Sequence, residues 1–482
     1  MFGLTELTVL SEENLSLAII PTVVLPFAVL GMILTSLATW IAAFFGMELK
    51  TEGPKRLLEV ILKPKVIIAS LLLNALVYSA VIGYRKIRNS SWPNTLIQIR
   101  NAFVVGSALS YATPSNSSEA AEADWNKGRI SNAKLIWKSK IKGAVFSSPV
   151  VTEKSLFIGT RRGFLYELDK ENGKILRQFA FGQPVMSKPI IFNNHIYFGE
   201  GVHETYNAKL ISINLIDGQF KGSLSTEGHI ERGPIFAKYK ERSFILVPAG
   251  KDGIYAIDPT SMEMLWHQKI GHIDGIPFVV ENRIYIGTGM EEGDPQTWTK
   301  IYSLDLETGK IIHEKEIATS AFGQPFQWKN NICFNIGDVY RSVNYGQIAC
   351  YDKINFHEVS AVNVGGAIIT NAVIDNNFVV VTDIRGGLYK IDLEKSRILH
   401  KSLMPIHKYN FSSVEKISKD EIVLTGKEGL YVYSIQDLSL KYVWKVSYEN
   451  WSGAFDTISQ ANGLWYWADK EGNVFALEPD FL

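Results

Sequence analysis

Short apolar runs alternate with turn residues along most of the chain after residue 133. The stretch 146–180 shows the pattern: FSSPVV, SLFIGT, GFLYELD and KILRQFA follow one another, separated by polar residues and glycine. Runs of this length, rich in β-branched and aromatic residues, predict β-strands joined by tight turns. The same order of four runs then begins again, which predicts a repeated four-stranded unit.

A ten-residue segment marks the repeat. It reads LYELDKENGK at 165–174, IYAIDPTSME at 254–263, IYSLDLETGK at 301–310 and LYKIDLEKSR at 388–397. Alignment on its aspartate, with degenerate copies admitted, gives eight positions: Asp169, Asn214, Asp258, Asp305, Asp352, Asp392, Ser434 and Leu477. A second register finds the same eight units at Pro149, Pro189, Pro234, Pro277, Pro325, Ala372, Val414 and Ile458. Four-stranded units spaced by 40 to 48 residues predict an eight-bladed β-propeller over 134–482.

The repeated aspartate is expected to be structural. It ends the third run of each unit and is followed by Asn-Gly or Thr-Gly in the best copies, where its carboxylate can bind the turn backbone while glycine takes a positive φ. The last unit supplies only FDTIS, LWYWAD and NVFAL before the chain ends. The isolated run KLIWKSK at 134–140 is therefore expected to complete the eighth blade and close the ring.

The segments AIDPTSMEMLW and SLDLETGKIIH resemble the Ala-x-Asp-x-x-Thr-Gly-x-x-x-Trp repeat of quinoprotein-type (PQQ-like) propellers. The docking tryptophan of that repeat is kept in register only at Trp266, whereas Arg177, His313 and His400 stand in equivalent places. This degeneracy resembles the non-catalytic branch of the family, typified by outer-membrane-protein assembly factor B, a periplasmic eight-bladed scaffold. The resemblance implies a scaffold, with a quinone-dependent membrane dehydrogenase or a ligand-sensing propeller as alternatives.

The first 90 residues predict a membrane anchor. Two apolar segments, at about 22–46 and 66–84, are long enough to cross a bilayer as helices. The basic residues between them place that segment in the cytoplasm and both termini outside. Residues 91–133 are expected to hold a short apolar segment and a linker, and a third crossing at 102–112 stays open. This topology predicts an inner-membrane protein with its propeller in the periplasm.

The charge balance, the cysteines and the histidines indicate which classes of function the sequence disfavours. Lys plus Arg and Asp plus Glu number 49 each, so the composition gives no sign of a nucleic-acid partner. Cys333 and Cys350 could pair, but we expect ordinary buried core residues. They are not the vicinal pair that the resemblance would imply for quinone alcohol dehydrogenases, and the nine histidines are scattered without metal-site spacing. GTGMEEGD at 287–294 is expected to be a solvated loop, with a calcium loop as the alternative. We therefore expect no enzymatic activity, cofactor or metal.

The loops between second and third strands differ in length between units. They are long in the second, fourth and fifth units, where they read EGVHETYNAK, GMEEGDPQTWTK and GDVYRSVNYG. Long loops on one rim of a rigid ring favour binding, and aromatic and arginine side chains concentrate binding energy. The interaction candidates are His203, Tyr206, Trp298, Tyr340, Arg341 and Tyr345. Expected partners are membrane or periplasmic protein subunits, together with the bilayer that holds the two helices.

Overall fold

The computed structural model describes residues 133–479 apart from 204, 206, 291–298, 340–343, 407–408, 446–453 and 455. These residues form eight antiparallel sheets of four strands each. The predicted eight-bladed all-β propeller is confirmed. The predicted membrane helices at about 22–46 and 66–84, the segment at 102–112 and the linker before residue 133 lie outside the described residues. Within the described residues, no helix is long and apolar enough to cross a membrane.

Each blade is numbered in chain order, and its strands run from the innermost to the outermost in sequence. Blade 1 consists of β2 Val150–Val151, β3 Ser155–Gly159, β4 Phe164–Asp169 and β5 Ile175–Ala180, and blade 2 of β6 Ile190–Phe192, β7 His195–Gly199, β8 Lys209–Asn214 and β9 Phe220–Ser225. Blade 3 consists of β10 Ile235–Tyr239, β11 Arg242–Pro248, β12 Ile254–Ile257 and β13 Met264–Gln268, and blade 4 of β14 Phe278–Val280, β15 Arg283–Gly287, β16 Lys300–Asp305 and β17 Ile311–Glu316. Blade 5 consists of β18 Phe326–Trp328, β19 Asn331–Gly337, β20 Gly346–Asp352 and β21 Glu358–Val364, and blade 6 of β22 Val373–Asp375, β23 Phe378–Thr382, β24 Gly387–Asp392 and β25 Arg397–Leu403. Blade 7 consists of β26 Glu415–Lys416, β27 Glu421–Thr425, β28 Gly429–Ser434 and β29 Leu440–Lys445. Blade 8 consists of β30 Ser459–Ala461, β31 Leu464–Ala468, β32 Asn473–Pro479 and the N-terminal β1 Ala133–Lys140.

The ring closes through blade 8, as the sequence predicts. Strand β1 pairs antiparallel with β32 and forms the outermost strand of that blade, with Ala133 opposite Pro479 and Lys140 opposite Asn473. The two ends of the domain are therefore held by one sheet, and the strand edges of the eighth blade are completed within the chain.

The repeated aspartate forms the predicted turn. In blade 1, Oδ1 of Asp169 accepts hydrogen bonds from the backbone N–H groups of Glu171 at 2.9 Å and Asn172 at 3.0 Å. Asp258, Asp305, Asp352 and Asp392 make equivalent bonds in their own turns. Four residues after each of these positions the backbone takes a positive φ, which is 71° at both Gly173 and Gly309. The predicted structural role of this aspartate is confirmed.

Neighbouring blades dock through the carbonyl of the residue that follows the aspartate. Nε1–H of Trp266, on the outer strand of blade 3, donates to the Leu306 carbonyl of blade 4 at 3.0 Å. Trp137 on β1 makes the same bond to the Lys170 carbonyl of blade 1, also at 3.0 Å. The expectation that only Trp266 is kept in register was wrong. Trp137 lies on the strand that the chain's N-terminal side contributes to blade 8, and it pairs opposite Ala476 as Trp266 pairs opposite Ala256.

The hydrophobic core lies between adjacent blades. One cluster joins Phe244, Leu246 and Trp266 of blade 3 to Ile284 and Tyr302 of blade 4, and similar clusters occupy other blade interfaces. Each sheet therefore buries both faces against its neighbours, which makes the ring of blades one continuous packed unit.

The two cysteines form a disulfide bond in blade 5. The expectation of free core cysteines was wrong because the register of β19 and β20 places Cys333 directly opposite Cys350. Sequence alone leaves this register open, since it depends on how residues 338–345 connect the two strands.

Candidate metal centre in the central funnel

One repeated position lines the mouth of the central funnel. Three residues before a second-register position, the chain approaches the innermost strand of a blade. At seven of these eight places the residue is described, and its side chain lines a shared pocket of about 90 Å³. The converging residues are Phe146, Met186, Glu231, Asp274, Phe322, Ile369 and Phe411. We call these seven residues the collar; they are apolar except in blades 3 and 4, which carry the two carboxylates Glu231 and Asp274.

Two histidines stand two residues before these carboxylates, in the parallel segments GHIER and GHIDG. Backbone hydrogen bonds to the preceding blade hold both segments: Ile230 N–H donates to the Glu200 carbonyl at 2.9 Å, and Ile273 N–H to the Gly250 carbonyl at 3.0 Å. His229 and His272 are both buried, with 2% and 0% of their surface exposed. Their side chains are thus fixed on one wall of the funnel.

Gly250 makes room for His229. A Cβ atom at this position would come within 2.7 Å of the imidazole ring, and φ is 52° there. Glycine therefore allows the blade 3 backbone to approach the ring closely.

A third histidine reaches the same point from the long connector of blade 2. His203 lies in a tight turn in which Thr205 N–H donates to the Val202 carbonyl at 2.6 Å and Val202 N–H donates to the Thr205 hydroxyl at 3.1 Å. Its side chain is about one third exposed. The His203 ring centroid lies 4.9 Å from that of His229 and 5.9 Å from that of His272.

Asp274 is the centre of this group. Its Oδ1 lies 2.8 Å from Nε2 of His229, and its Oδ2 lies 2.8 Å from Nε2 of His272. Nδ1 of His203 is 3.5 Å from Asp274 Oδ2, while Nε2 of the same ring is 3.4 Å from Glu231 Oε2. Within the described part of the chain, these three histidines and Asp274 form the group whose ligand atoms could hold a metal ion, all within 4.8 Å of one another.

The electrostatics favour an ionised Asp274. Burial would raise the pKa of Asp274, but the charges of His272 and His229 and their hydrogen bonds outweigh it and hold the pKa well below its usual range. Arg232 holds the backbone of this residue, because its Nε–H donates to the Asp274 carbonyl at 2.9 Å. A buried carboxylate surrounded by imidazoles is an arrangement that binds either protons or a divalent cation.

Two of the six interaction residues predicted from the sequence, His203 and Tyr345, belong to the described part of the chain, and the structure does not bring them together. His203 faces the funnel. Tyr345, at the end of the blade 5 connector, packs against the core cluster that holds Tyr285 and Phe334, and burial raises its pKa. Tyr206, Trp298, Tyr340 and Arg341 lie outside the described residues, as does the acidic part of the 287–294 loop.

Sequence reasoning missed the histidine cluster. Spacing along the chain pairs His267 with His272, but Nε2–H of His267 instead donates to the Asp252 carbonyl at 2.6 Å, and the ring stacks on Tyr255. The available signal was the repeat: GHIER and GHIDG occupy the same place in successive blades, so their side chains converge in the ring.

Comparisons with known proteins agree with this architecture. Residues 126–221 match a family model described as outer membrane protein assembly factor BamB. A curated relative, BamB of Yersinia pestis, is 20% identical over 370 residues, which cover 71% of this chain and 89% of the relative. The crystal structure of BamB from Moraxella catarrhalis superposes with a TM-score of 0.55 at 12% identity, covering 72% of this chain and 99% of that one.

The described domain is a PQQ-like β-propeller that resembles BamB. A europium-containing methanol dehydrogenase also superposes, with a TM-score of 0.55 at 11% identity, over 72% of this chain and 84% of that enzyme. At such identities the likeness concerns the fold, and a PQQ-like propeller can carry either a scaffold or a catalytic centre. Function therefore has to be argued from the surface and the funnel of this chain.

Proposed function

We propose that this protein is a non-enzymatic, membrane-anchored scaffold or accessory subunit of a bacterial envelope complex, with its propeller in the periplasm. The observation that carries the proposal is the unequal length of the connectors between second and third strands. They comprise nine, twelve and eight residues in blades 2, 4 and 5, but three to five residues in the other blades. The name of the similar protein, an outer membrane protein assembly factor, supports a role in protein assembly.

The topology puts these connectors on one face. Because every sheet is antiparallel with its strands in sequence order, all second-to-third connectors emerge on the same side as the links between blades. The three long connectors define what we call the long-loop rim: residues 200–208, 288–299 and 338–345. A closed ring with docked blades fixes the strand ends from which these connectors start, which lowers the entropic cost of binding a partner there.

The funnel mouth favours a scaffold over a quinone enzyme. The pocket formed there by described residues has a volume of about 90 Å³, whereas cofactor and small-molecule sites usually have volumes of roughly 300–1,000 Å³. Its collar contains Phe146, Phe322 and Phe411, whose side chains line this small pocket. A quinone-dependent dehydrogenase would require these side chains to withdraw.

The disulfide supports the proposed periplasmic location. Cys333–Cys350 pairing is typical of proteins that fold in an oxidising compartment, and bacterial cells provide this in the periplasm. The basic segment between the proposed membrane helices points to the same orientation. Protease treatment of spheroplasts should therefore degrade the propeller, and its protection would contradict the orientation.

Co-purification tests the scaffold. The full chain would be extracted from native membranes in mild detergent, and the bound proteins identified by mass spectrometry. A variant with Trp298, Tyr340 and Arg341 changed to alanine should lose a stoichiometric partner, because these residues belong to the long connectors of blades 4 and 5.

The matched control is a variant with Lys174, Glu263 and Lys310 changed to alanine. These residues are exposed in third-to-fourth-strand turns on the opposite face of the ring. It should keep the partner. Loss of the partner from both variants, or from neither, would contradict an interface on the long-loop rim. A quinone absorbance in the purified protein would instead support the dehydrogenase.

A further inference from the structure

We propose that His203, His229, His272 and Asp274 bind a divalent transition-metal ion of the Zn²⁺ type in the funnel of the propeller. This inference goes beyond the proposed scaffold function and does not depend on it. It rests on the convergence of three imidazoles and one carboxylate from three different blades, with all four ligand atoms within 4.8 Å.

The donor set selects the class of metal. Three imidazole nitrogens with one carboxylate oxygen form a four-ligand set of the kind that Zn²⁺ and neighbouring borderline ions accept. Ca²⁺ and Mg²⁺ prefer oxygen ligands in larger numbers, so the single carboxylate among three imidazoles disfavours them.

The donor atoms lie close to the separations that a tetrahedral site requires, and side-chain reorientation would complete it. Tetrahedral Zn²⁺ with ligands at about 2.0–2.1 Å places its donor atoms roughly 3.3 Å apart. The Nε2 atoms of His229 and His272 lie 2.8 Å from the carboxylate oxygens of Asp274, slightly closer than this, and Nδ1 of His203 lies 3.5 Å away. An ion would occupy the space between these atoms, and donor pairs that now lie up to 4.8 Å apart would close by roughly 1.5 Å as the side chains reorient.

The surroundings distinguish this cluster from a solvated charged surface. Phe322 packs edge-on against His272 with ring centroids 5.9 Å apart, and the backbone at Gly250 abuts His229. Two of the three histidines are almost fully buried, so their orientation is fixed before an ion arrives. Glu231, 3.4 Å from His203, adds a second negative charge, which offsets the nearby Arg232.

Metal binding would connect a loop to the ring. His203 belongs to the long connector of blade 2, whereas His229, His272 and Asp274 belong to the approaches to the innermost strands of blades 3 and 4. An ion shared among them would cross-link three consecutive blades on the face of the long-loop rim.

The test is metal titration of the untagged full chain in detergent after treatment with a chelator. Zn²⁺ binding would be measured by calorimetry, and Co²⁺ would be used as a spectroscopic probe because four-coordinate Co²⁺ has a strong visible absorption. We expect one ion per chain, intense Co²⁺ absorption that Zn²⁺ abolishes, and no competition from excess Ca²⁺.

Variants locate the site. His203→Ala, His272→Gln and Asp274→Asn should each weaken Zn²⁺ binding by on the order of 100-fold or more, since removing a ligand costs at least as much as removing its supporting hydrogen bonds. His203 lies on a partly exposed loop, so its variant should keep the melting temperature of the metal-free protein even if the buried variants unfold. His357→Ala, at an exposed histidine of blade 5, is the control and should bind Zn²⁺ like the unaltered chain.

Two results would overturn the proposal. One is the absence of stoichiometric Zn²⁺ and Co²⁺ binding to the unaltered chain, which would leave a proton-linked network of histidines and Asp274. The other is binding that His203→Ala and His272→Gln leave unchanged, which would place the ion elsewhere.

Discussion

The docking of one blade on the next predicts that Gly309→Ala destabilises the propeller. Its φ is 71°, and a Cβ atom there would lie 2.5 Å from Cε3 of Trp266. A non-glycine residue in this conformation costs about 1–2 kcal/mol, and overpacking a well-packed site adds about 1–3 kcal/mol. We therefore expect Gly309→Ala to lower the free energy of unfolding by roughly 2–5 kcal/mol.

Gly463 provides the matched control. It lies in the turn between β30 and β31 with φ of 77°, and nothing lies within 4 Å of the position of a Cβ atom. Gly463→Ala therefore carries only the cost of placing alanine at a positive φ, and should lower the free energy of unfolding by only about 1–2 kcal/mol. The assay is urea unfolding of the full chain followed by far-UV circular dichroism.

A double-mutant cycle isolates the contact with the indole ring. In a Trp266→Leu background the extra cost of Gly309→Ala over Gly463→Ala should shrink towards zero, because the ring that the new methyl group meets has been removed. Equal losses for the two glycine variants in the unaltered chain would refute the docking argument. An extra cost that persists in the Trp266→Leu background would refute it as well.

Three further predictions concern the closure of the ring by β1, the disulfide bond and the buried Asp469. Deletion of β1, residues 133–140, should abolish cooperative unfolding measured by circular dichroism, because it exposes the edge of β32; a cooperative transition of unchanged midpoint would contradict ring closure. Paired replacement of Cys333 and Cys350 by alanine should cost about 2–4 kcal/mol in urea unfolding, and an unchanged midpoint would argue against the disulfide. Burial raises the pKa of Asp469 to about 6. Between pH 4 and pH 6 the folded protein therefore keeps a proton on this carboxyl that the unfolded chain has lost. The free energy of unfolding should fall as pH rises through this range, by up to about 3 kcal/mol. Asp469→Asn should flatten that part of the stability profile, and an unaltered slope would contradict the assignment.

Much of the fold could be predicted because it depends on interactions between residues that are close in sequence. The turn aspartates, the glycines at positive φ and the order of four strand-forming runs each recur in the sequence. The last unit, at residues 459–479, supplies only three strands, so β1 was required to complete blade 8. Such features depend on neighbouring residues and on the closure of strand edges, which a single sequence shows directly.

The disulfide and the histidine cluster depend on contacts between distant residues. Cys333 meets Cys350 only through strand register. His203 meets His272 only because the ring directs the connector of blade 2 and the approach to blade 4 towards the same central funnel. A search for close sequence spacing could not find them. The shared GHI segments at 228–230 and 271–273 would have indicated the cluster if the repeat had been read position by position.

The central claim is that the long-loop rim binds other proteins of the cell envelope. The most direct test places a photo-crosslinking amino acid at Trp298 or Tyr340 on this rim, and at Lys174 or Lys310 on the opposite face, in the full chain in intact cells. The account predicts that both rim positions yield the same discrete crosslinked partner and that the opposite positions do not. Crosslinking to no protein from the rim, or equal crosslinking from both faces, would contradict it.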